Sequence, residues 1–429
     1  MTLELRRFLV AVAVAVPLFF IGCTFCAGGL ARDEWHGDVP HYQTFGDRVM
    51  DGEVPYHDFY LEYPPGALPA FVAPAAISEH HYVRTFKWLM AALGALTLVG
   101  AAGVLTLLGA DTLRLAIGLG AIVAAPPLLG HVYLNRYDPW SALLVVLALF
   151  FLLLPRVALS FGLLALAITA KIYPVAVVPA AAIRVWRTAV RRELTRAALA
   201  MFGVGAVVVL PFAVVAFGGL GFSFYTQATR PLQVESLGAS ILLVADRLGI
   251  YDMHLIGGKA NSIDLGGAVP TAVGVVSSVV VVAALLAVTW AYFMGDDDRE
   301  RIVTAFAAAV AAYLVFFKVF SPQYMTWLIP LVPLVAGRRG RIATLLLLAA
   351  LLLTQIEIYG LEPVRGIHDT HIVVGEPTAW LPWVLLGRNL LLVALFLLLF
   401  EQLRAGVLTL APRGLRERSA RAVPSAARG

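Results

Sequence analysis

Long apolar runs separated by short polar stretches dominate this chain. Nine of them lie near residues 7–29, 86–109, 113–130, 138–154, 197–218, 268–293, 302–320, 342–359 and 379–402. About 20 apolar residues, rising ~1.5 Å each, cover the ~30 Å of a bilayer's hydrocarbon core, so each run is long enough or nearly so to cross as a helix. Shorter runs at 157–170, 172–183 and 324–336 raise the expectation to about twelve spans by the same length rule. The pattern therefore predicts an all-α polytopic membrane protein, with residues 1–403 forming one transmembrane domain.

Lys and Arg in short loops set the orientation. Arg6 and Arg7 place the N-terminus in the cytoplasm, Arg184, Arg187, Arg191, Arg192 and Arg196 mark a second cytoplasmic loop, and Arg338, Arg339 and Arg341 a third. The basic, Ala-, Pro- and Ser-rich tail, 404–429, reads as cytoplasmic and disordered. Outward loops then fall at 31–85, 130–138, 218–267, 320–324 and 359–378. Within the first of them, 66–78 is short and holds two prolines, which suits a helix lying along the membrane surface. Residues 157–183 are too short for two full crossings and too long for none. A hairpin of short helices with its bend at Lys171-Ile172-Tyr173-Pro174 resolves this, and irregular backbone at that depth must border protein or a wet cavity.

Composition agrees, with 60% hydrophobic and 14% charged residues, a mean hydropathy of +0.84 and a net charge of +5 carried by basic loops rather than by a nucleic-acid face. The first run is too long for a signal-peptide core and is read as an uncleaved span. Cys23 and Cys26 form a CxxC within it, where they count as small apolar helix residues. Walker A, GxGxxG, HExxH and GxSxG patterns are missing. No cytoplasmic segment is long enough to fold into a nucleotide-sugar-binding domain.

The informative stretch is His36 to Gly66, rich in acids and interleaved with aromatic rings. Asp38 and Glu62 stand out, because Val-Pro follows the first and Tyr-Pro-Pro the second; Asp51, Glu53 and Asp58 fit a solvated surface. A carboxylate partly withdrawn from water suits general-base work. Lys171 and Lys318 are cations in otherwise apolar surroundings, where a lysine costs about 2.5–3.5 kcal/mol at a helix centre and calls for a partner such as a lipid-linked phosphate. Lys318 could equally snorkel to the outer interface. In the 218–267 loop, Arg230 could grip a phosphate and Glu235 hold it or sugar hydroxyls, or the two could simply pair. Arg136, Gln323 and Tyr324 sit at outer helix ends.

Taken together, Gly37-Asp38-Val-x-x-Tyr42, Gly52-Glu-Val-Pro-Tyr56-x-Asp58-Phe59, Glu62-Tyr63-Pro64-Pro65, Lys171-Ile-Tyr173-Pro174, Arg230-Pro-Leu-Gln-Val-Glu235-Ser236 and Phe320-Ser-Pro-Gln323-Tyr324-x-x-Trp327 resemble, in order, the pattern of the GT-C membrane glycosyltransferases. The closer resemblance is to glycosyltransferase family 87, the polyprenyl-phosphate-sugar-dependent mannosyl- and arabinosyltransferases of actinobacteria. It implies a GT-C-like bundle and an inverting transfer in which Asp38 is the base. Asp47, Asp58 or Glu62 would be a second acid. Lys171, Arg230 and Lys318 would bind the donor phosphate, and Tyr42, Tyr63, Arg136, Tyr173, Glu235, Gln323 and Tyr324 the substrates. No metal ligand is assigned, although a divalent cation is compatible with the family pattern. The expected partners are a polyprenyl-phosphate sugar, an envelope glycolipid or glycan acceptor and membrane lipid. The rival readings are a lipid or solute transporter or flippase, and an envelope scaffold. A transporter would show broken helices in matched halves and access from both faces; here the polar residues gather on one side, which favours the enzyme.

Overall fold

In the computed structural model, the residues described are 2–26, 28–33, 37–188, 190–258, 262–361, 365–368, 371–374 and 377–408. The apolar runs fold as helices, and short polar residues start several of them. Thr2 caps α1 (Leu3–Thr24) through the amide of Leu5, Asp111 caps α5 (Thr112–Leu129) through that of Arg114, and Ser236 caps α12 (Leu237–Arg247) through that of Ala239. Between α1 and α4 (Tyr82–Leu107) lie two short helices, α2 (Val39–Met50) and α3 (Leu68–Ile77). After α5 come the single turn α6 (His131–Leu134), α7 (Asp138–Leu153) and α8 (Val157–Ala170). A break at Lys171 and Ile172 follows, then a 3₁₀ segment, Tyr173–Val177, and α9 (Val178–Thr188). The hairpin bend falls where Pro174 demands it: α8 ends beside Asp138, while Arg184 on α9 returns to the opposite end of the bundle to meet Asp297.

The chain continues through α10 (Arg191–Val215) and α11 (Phe217–Ala228). Strand β1 (Leu232–Gln233) precedes α12, and β2 (His254–Gly257) and β3 (Ile263–Gly266) follow it. Next come α13 (Ala268–Met294), α14 (Arg299–Phe316) and α15 (Gly337–Leu361). The strands β4 (Arg365–His368) and β5 (His371–Val374) lead to α16 (Leu381–Leu408). Among the described residues, seven helices, α1, α4, α5, α10, α13, α15 and α16, are long and apolar enough to cross a membrane. Helices α7 and α8 are shorter and equally apolar. The protein is thus an α-helical polytopic membrane protein. Phe202 and Val214 on α10 stand 76% and 82% exposed, as lipid-facing side chains should.

Three features depart from the simplest expectation. Residues 324–336 do not form a helix. They run as two 3₁₀ pieces, Pro322–Trp327 and Val332–Leu334, because Pro322, Pro330 and Pro333 remove the donors an α-helix needs. Every residue from 325 to 335 is buried, so protein rather than lipid surrounds this irregular stretch. The all-α expectation also missed the antiparallel sheet, in the order β1-β3-β2, and the β4–β5 hairpin. Outside the hydrocarbon these loop segments satisfy their amides by pairing strands. Finally, α16 continues to Leu408, five residues into the expected tail; residues 409–429 lie outside those described.

At the centre sits α14, with Ala305, Ala307, Ala308, Ala309, Ala311 and Ala312 all buried. Such small residues let neighbouring helices approach closely.

Candidate active site

The site is built around the turn 135–138, between α6 and α7. Its two charged side chains reach different parts of the chain. Arg136 Nη1 lies 2.6 Å from Asp38 Oδ1 in the first outer loop. Asp138 Oδ1 lies 2.7 Å from Lys171 Nζ at the hairpin bend. The same Asp138 oxygen also accepts a 2.6 Å hydrogen bond from the indole Nε1 of Trp327. Asp138 is wholly buried, and as the first residue of α7 it places its charge at the favourable, positive end of the helix dipole.

Two glycines permit this assembly. Gly37 has φ +67, and a Cβ there would stand 2.6 Å from the Arg136 guanidinium. Gly66 sits where a Cβ would come within 2.6 Å of Thr169 at the end of α8, so the first outer loop closes onto the helix that ends at Lys171. Trp140 Nε1 donates to the Gly66 carbonyl at 3.0 Å and fastens that contact.

Asp38 occupies the N-cap position of α2 without capping it. Its carboxylate is 27% exposed and turned to Arg136, while the Tyr42 hydroxyl donates to Oδ2 at 3.4 Å. Tyr42 is itself buried, stacked on Phe71 with ring centroids 4.6 Å apart and edge-on to Tyr63 and Tyr137. Aromatic packing therefore fixes the floor beneath Asp38. On the far side, Tyr173, Trp327 and Tyr324 form a three-ring stack, with centroid separations of 3.9 and 4.2 Å. Lys171 Nζ lies 4.6 Å from the Tyr137 ring centroid and 5.0 Å from that of Tyr324, within cation–π range.

Of the three second-acid candidates, the structure brings only Glu62 into this field. Burial raises its pKa, and the nearby Asp38 charge raises it further, while the Tyr63 hydroxyl, Arg230 and His41 oppose the rise. Asp58 instead accepts the Val54 amide at 2.7 Å and pairs with His57, which holds its carboxyl below the ordinary range and shapes the 54–59 turn. Asp47, on α2, has Asp51 and Glu79 for neighbours; burial, then Asp51, pushes its pKa up.

Arg230 is within electrostatic reach of Glu62, Asp264, Lys318 and Tyr324, forms no salt bridge among the described residues, and keeps its Nε buried without a hydrogen-bond partner there. Lys318 Nζ donates to the Ala228 carbonyl at 3.0 Å, beside Arg230. Ser321 donates to Gln323 Oε1 at 2.7 Å. Glu235 is fully buried: it accepts from Gln233 Nε2 at 2.7 Å, and its carbonyl accepts from Arg388 and Asn389. Arg388 in turn pairs with Glu357 at 3.0 Å. Glu235 thus anchors the 230–236 stretch and does not pair with Arg230. Among the described residues, no three His, Cys, Asp or Glu side chains gather as a metal site.

Asp138 and Trp327 are the residues that sequence reasoning left unassigned. Trp327 closes a quoted motif and Asp138 ends the 130–138 loop, but each reads in isolation as an ordinary helix-end residue.

The sequence model of glycosyltransferase family 87 matches residues 60–322. The chain belongs to glycosyltransferase family 87. The matched region of this glycosyltransferase holds Glu62, Arg136, Asp138, Lys171, Arg230 and Lys318, whereas Asp38 lies well before its start at residue 60 and the Tyr324–Trp327 stack just after its end at 322. A comparison with curated proteins returns no match.

Proposed function

We propose that this family 87 glycosyltransferase moves a sugar, mannose foremost, from a polyprenyl-phosphate donor to an envelope glycolipid or glycan, on the extracytoplasmic face and with inversion. One observation carries the reading. A single four-residue turn pairs Arg136 with Asp38 and Asp138 with Lys171, which puts a partly open carboxylate within electrostatic reach of a largely enclosed ammonium.

Asp38 accepts the proton of the acceptor hydroxyl as its oxygen attacks the anomeric carbon. The bond from that carbon to the phosphate oxygen breaks, and its electron pair leaves with the phosphate. A single displacement of this kind inverts the anomeric centre. Charge grows on the departing phosphate, and Lys171, Arg230 and Lys318 are the cations that meet it. Arg136 pairs with Asp38, and Glu62, whose pKa burial raises, is the second acid. About twelve crossings fit the path of the chain if α9 and the buried 3₁₀ stretch each count as one, as thin elements shielded by neighbouring helices. The arginine-rich turns then lie at the end opposite Asp38, which supports cytoplasmic termini and an outward site.

The test is transfer by purified protein in lipid, with polyprenyl-phosphate-mannose and polyprenyl-phosphate-arabinofuranose offered in parallel with envelope lipid. Transfer from one donor that is lost in Asp38→Asn supports the reading and names the sugar. Arabinofuranosyl transfer would keep the mechanism and change the donor. Turnover with neither donor overturns it and returns weight to a transporter.

A further inference from the structure

Asp138 is a costly residue in this position. A carboxylate with no solvent exposure survives only if its charge is matched and its oxygens are satisfied. Oδ1 is doubly used, by the Lys171 ammonium and the Trp327 indole, at 2.7 and 2.6 Å. Oδ2 is buried with no partner among the described residues, as are both polar atoms of Asn135 and the hydroxyl of Thr326. Native interiors leave few such atoms unmatched, and those that persist cluster where function requires a particular arrangement. The arrangement here is specific: one oxygen ties together the hairpin bend of 171–174, the 3₁₀ stretch of 322–327 and the start of α7.

We infer that Asp138 is a positioning residue for the transfer, acting through Lys171: it holds the ammonium and the Trp327 stack in one geometry and so presents a fixed cation to the donor's phosphate. This rests on the phosphate-donor reading above. Without Asp138, Lys171 would face Arg136 with no carboxylate at hydrogen-bonding distance, and the neighbouring Tyr137 and Tyr324 rings would not fix its direction. The Trp327 indole would lose its acceptor as well. A lysine has a long, flexible stem and offers a point charge, so its usefulness to a phosphate depends on what aims it.

The experiment measures binding of polyprenyl phosphate without sugar, together with the steady-state kinetics of the sugar donor. Four proteins are compared: wild type, Asp138→Asn, Lys171→Met and the double variant. Asp138→Asn should weaken polyprenyl-phosphate binding about tenfold, the order expected when a charged group loses its fixing hydrogen bond, and raise the donor KM with little change in the acceptor KM. The double variant should bind no worse than Lys171→Met alone, because what Asp138 contributes to phosphate binding passes through the lysine. Asp138→Glu, which keeps the charge, should recover part of the donor KM.

Losses that multiply in the double variant would overturn the proposal, as would an effect on the acceptor alone. A wild type that binds no polyprenyl phosphate would defeat the donor reading, and this proposal with it. Failure of the Asp138 proposal alone looks different: wild type binds, and Asp138→Asn binds equally well.

Discussion

At the end of the bundle that holds α9 and the α13–α14 turn, almost every buried polar atom has a partner. Arg184 pairs with Asp297 at 3.0 Å, and Tyr292 donates to the same carboxylate. Arg187 donates to the Gly295 carbonyl, and Arg301 to those of Asp296, Ala291 and Leu403. Arg114 grips Glu300 through two nitrogens, leaving only its Nε unmatched. At the opposite end, Asn135, Asp138, Arg230, Gln233, Asp264 and Thr326 each retain a buried polar atom with no partner among the described residues. Both ends are charged, so charge does not tell them apart. Satisfaction does: one end is finished as a structure, and the other keeps capacity for groups that arrive from outside.

The sharpest way to break this comparison is Asp38→Asn. Removing a general base should lower transfer by about 10²–10⁴-fold while the melting temperature barely moves. Turnover near wild type, measured with the preferred donor, would remove Asp38 as base. Lys171→Met comes next, with an expected loss of roughly 10²-fold in donor kcat/KM and an unchanged acceptor KM, both read from steady-state kinetics. The finished end should behave in the reverse way. Arg184→Ala should cost about 1.5–3 kcal/mol of stability, the worth of hydrogen bonds to a charged group, with activity per folded molecule intact. A thermal shift assay beside a transfer assay checks both halves, and an activity loss without destabilisation would erase the distinction between the ends.

The smallest effects concern pH, and they have opposite signs in one loop. Glu62 has its pKa raised by burial and then by Asp38, so the folded state holds its proton above the ordinary glutamate range. Stability from this group is complete below that range and falls as pH rises through the shifted value. Asp58 is lowered, chiefly by the Val54 amide and His57. Its contribution is present above the ordinary aspartate value and lost as pH falls through the shifted one. In melting curves taken against pH, Glu62→Gln should therefore remove a decline that sets in as pH rises above the ordinary glutamate value, and Asp58→Asn one that sets in as pH falls below the ordinary aspartate value. The same slope in both variants would contradict the placement of Glu62 beside Asp38.

Much of the bundle was legible because apolar length alone specifies a spanning helix. The run at 157–170 matches α8, each of the nine longer runs overlaps its helix, and 172–183 is divided between the 3₁₀ segment Tyr173–Val177 and α9. The bend at Lys171 was legible too, since a lysine followed by Ile-Tyr-Pro cannot continue an apolar helix. The stretch 324–336 misled because its hydropathy is that of a spanning helix while its prolines forbid the helix. The sheet was invisible for another reason: strands of two to four residues are too short for an alternating pattern to register. Among the candidate residues, the structure places two acids in one electrostatic field, and of these Asp38 was singled out by its neighbours in sequence and Glu62 by the prolines behind it. Asp138 was not, because everything that makes it unusual comes from residues 33 and 189 positions away. Glu235 was noticed for its charge, but the hold of Arg388 and Asn389 of α16 on its backbone carbonyl was not legible, because they lie 153 and 154 positions away.

The reach of Asp138 along the chain also bears on how the protein is made. Lys171 follows it by 33 residues and Trp327 by 189. At a ribosome's ~5–20 residues per second, the ammonium is synthesised about 2–7 s after the carboxylate, and the indole roughly 10–40 s after it. For most of that interval the nascent protein carries an acid at the edge of the bilayer with only half of its final partners. The three-way contact at Asp138 becomes available only once residue 327 has been made, so a chain that ends before it would hold the acid and the lysine without the indole.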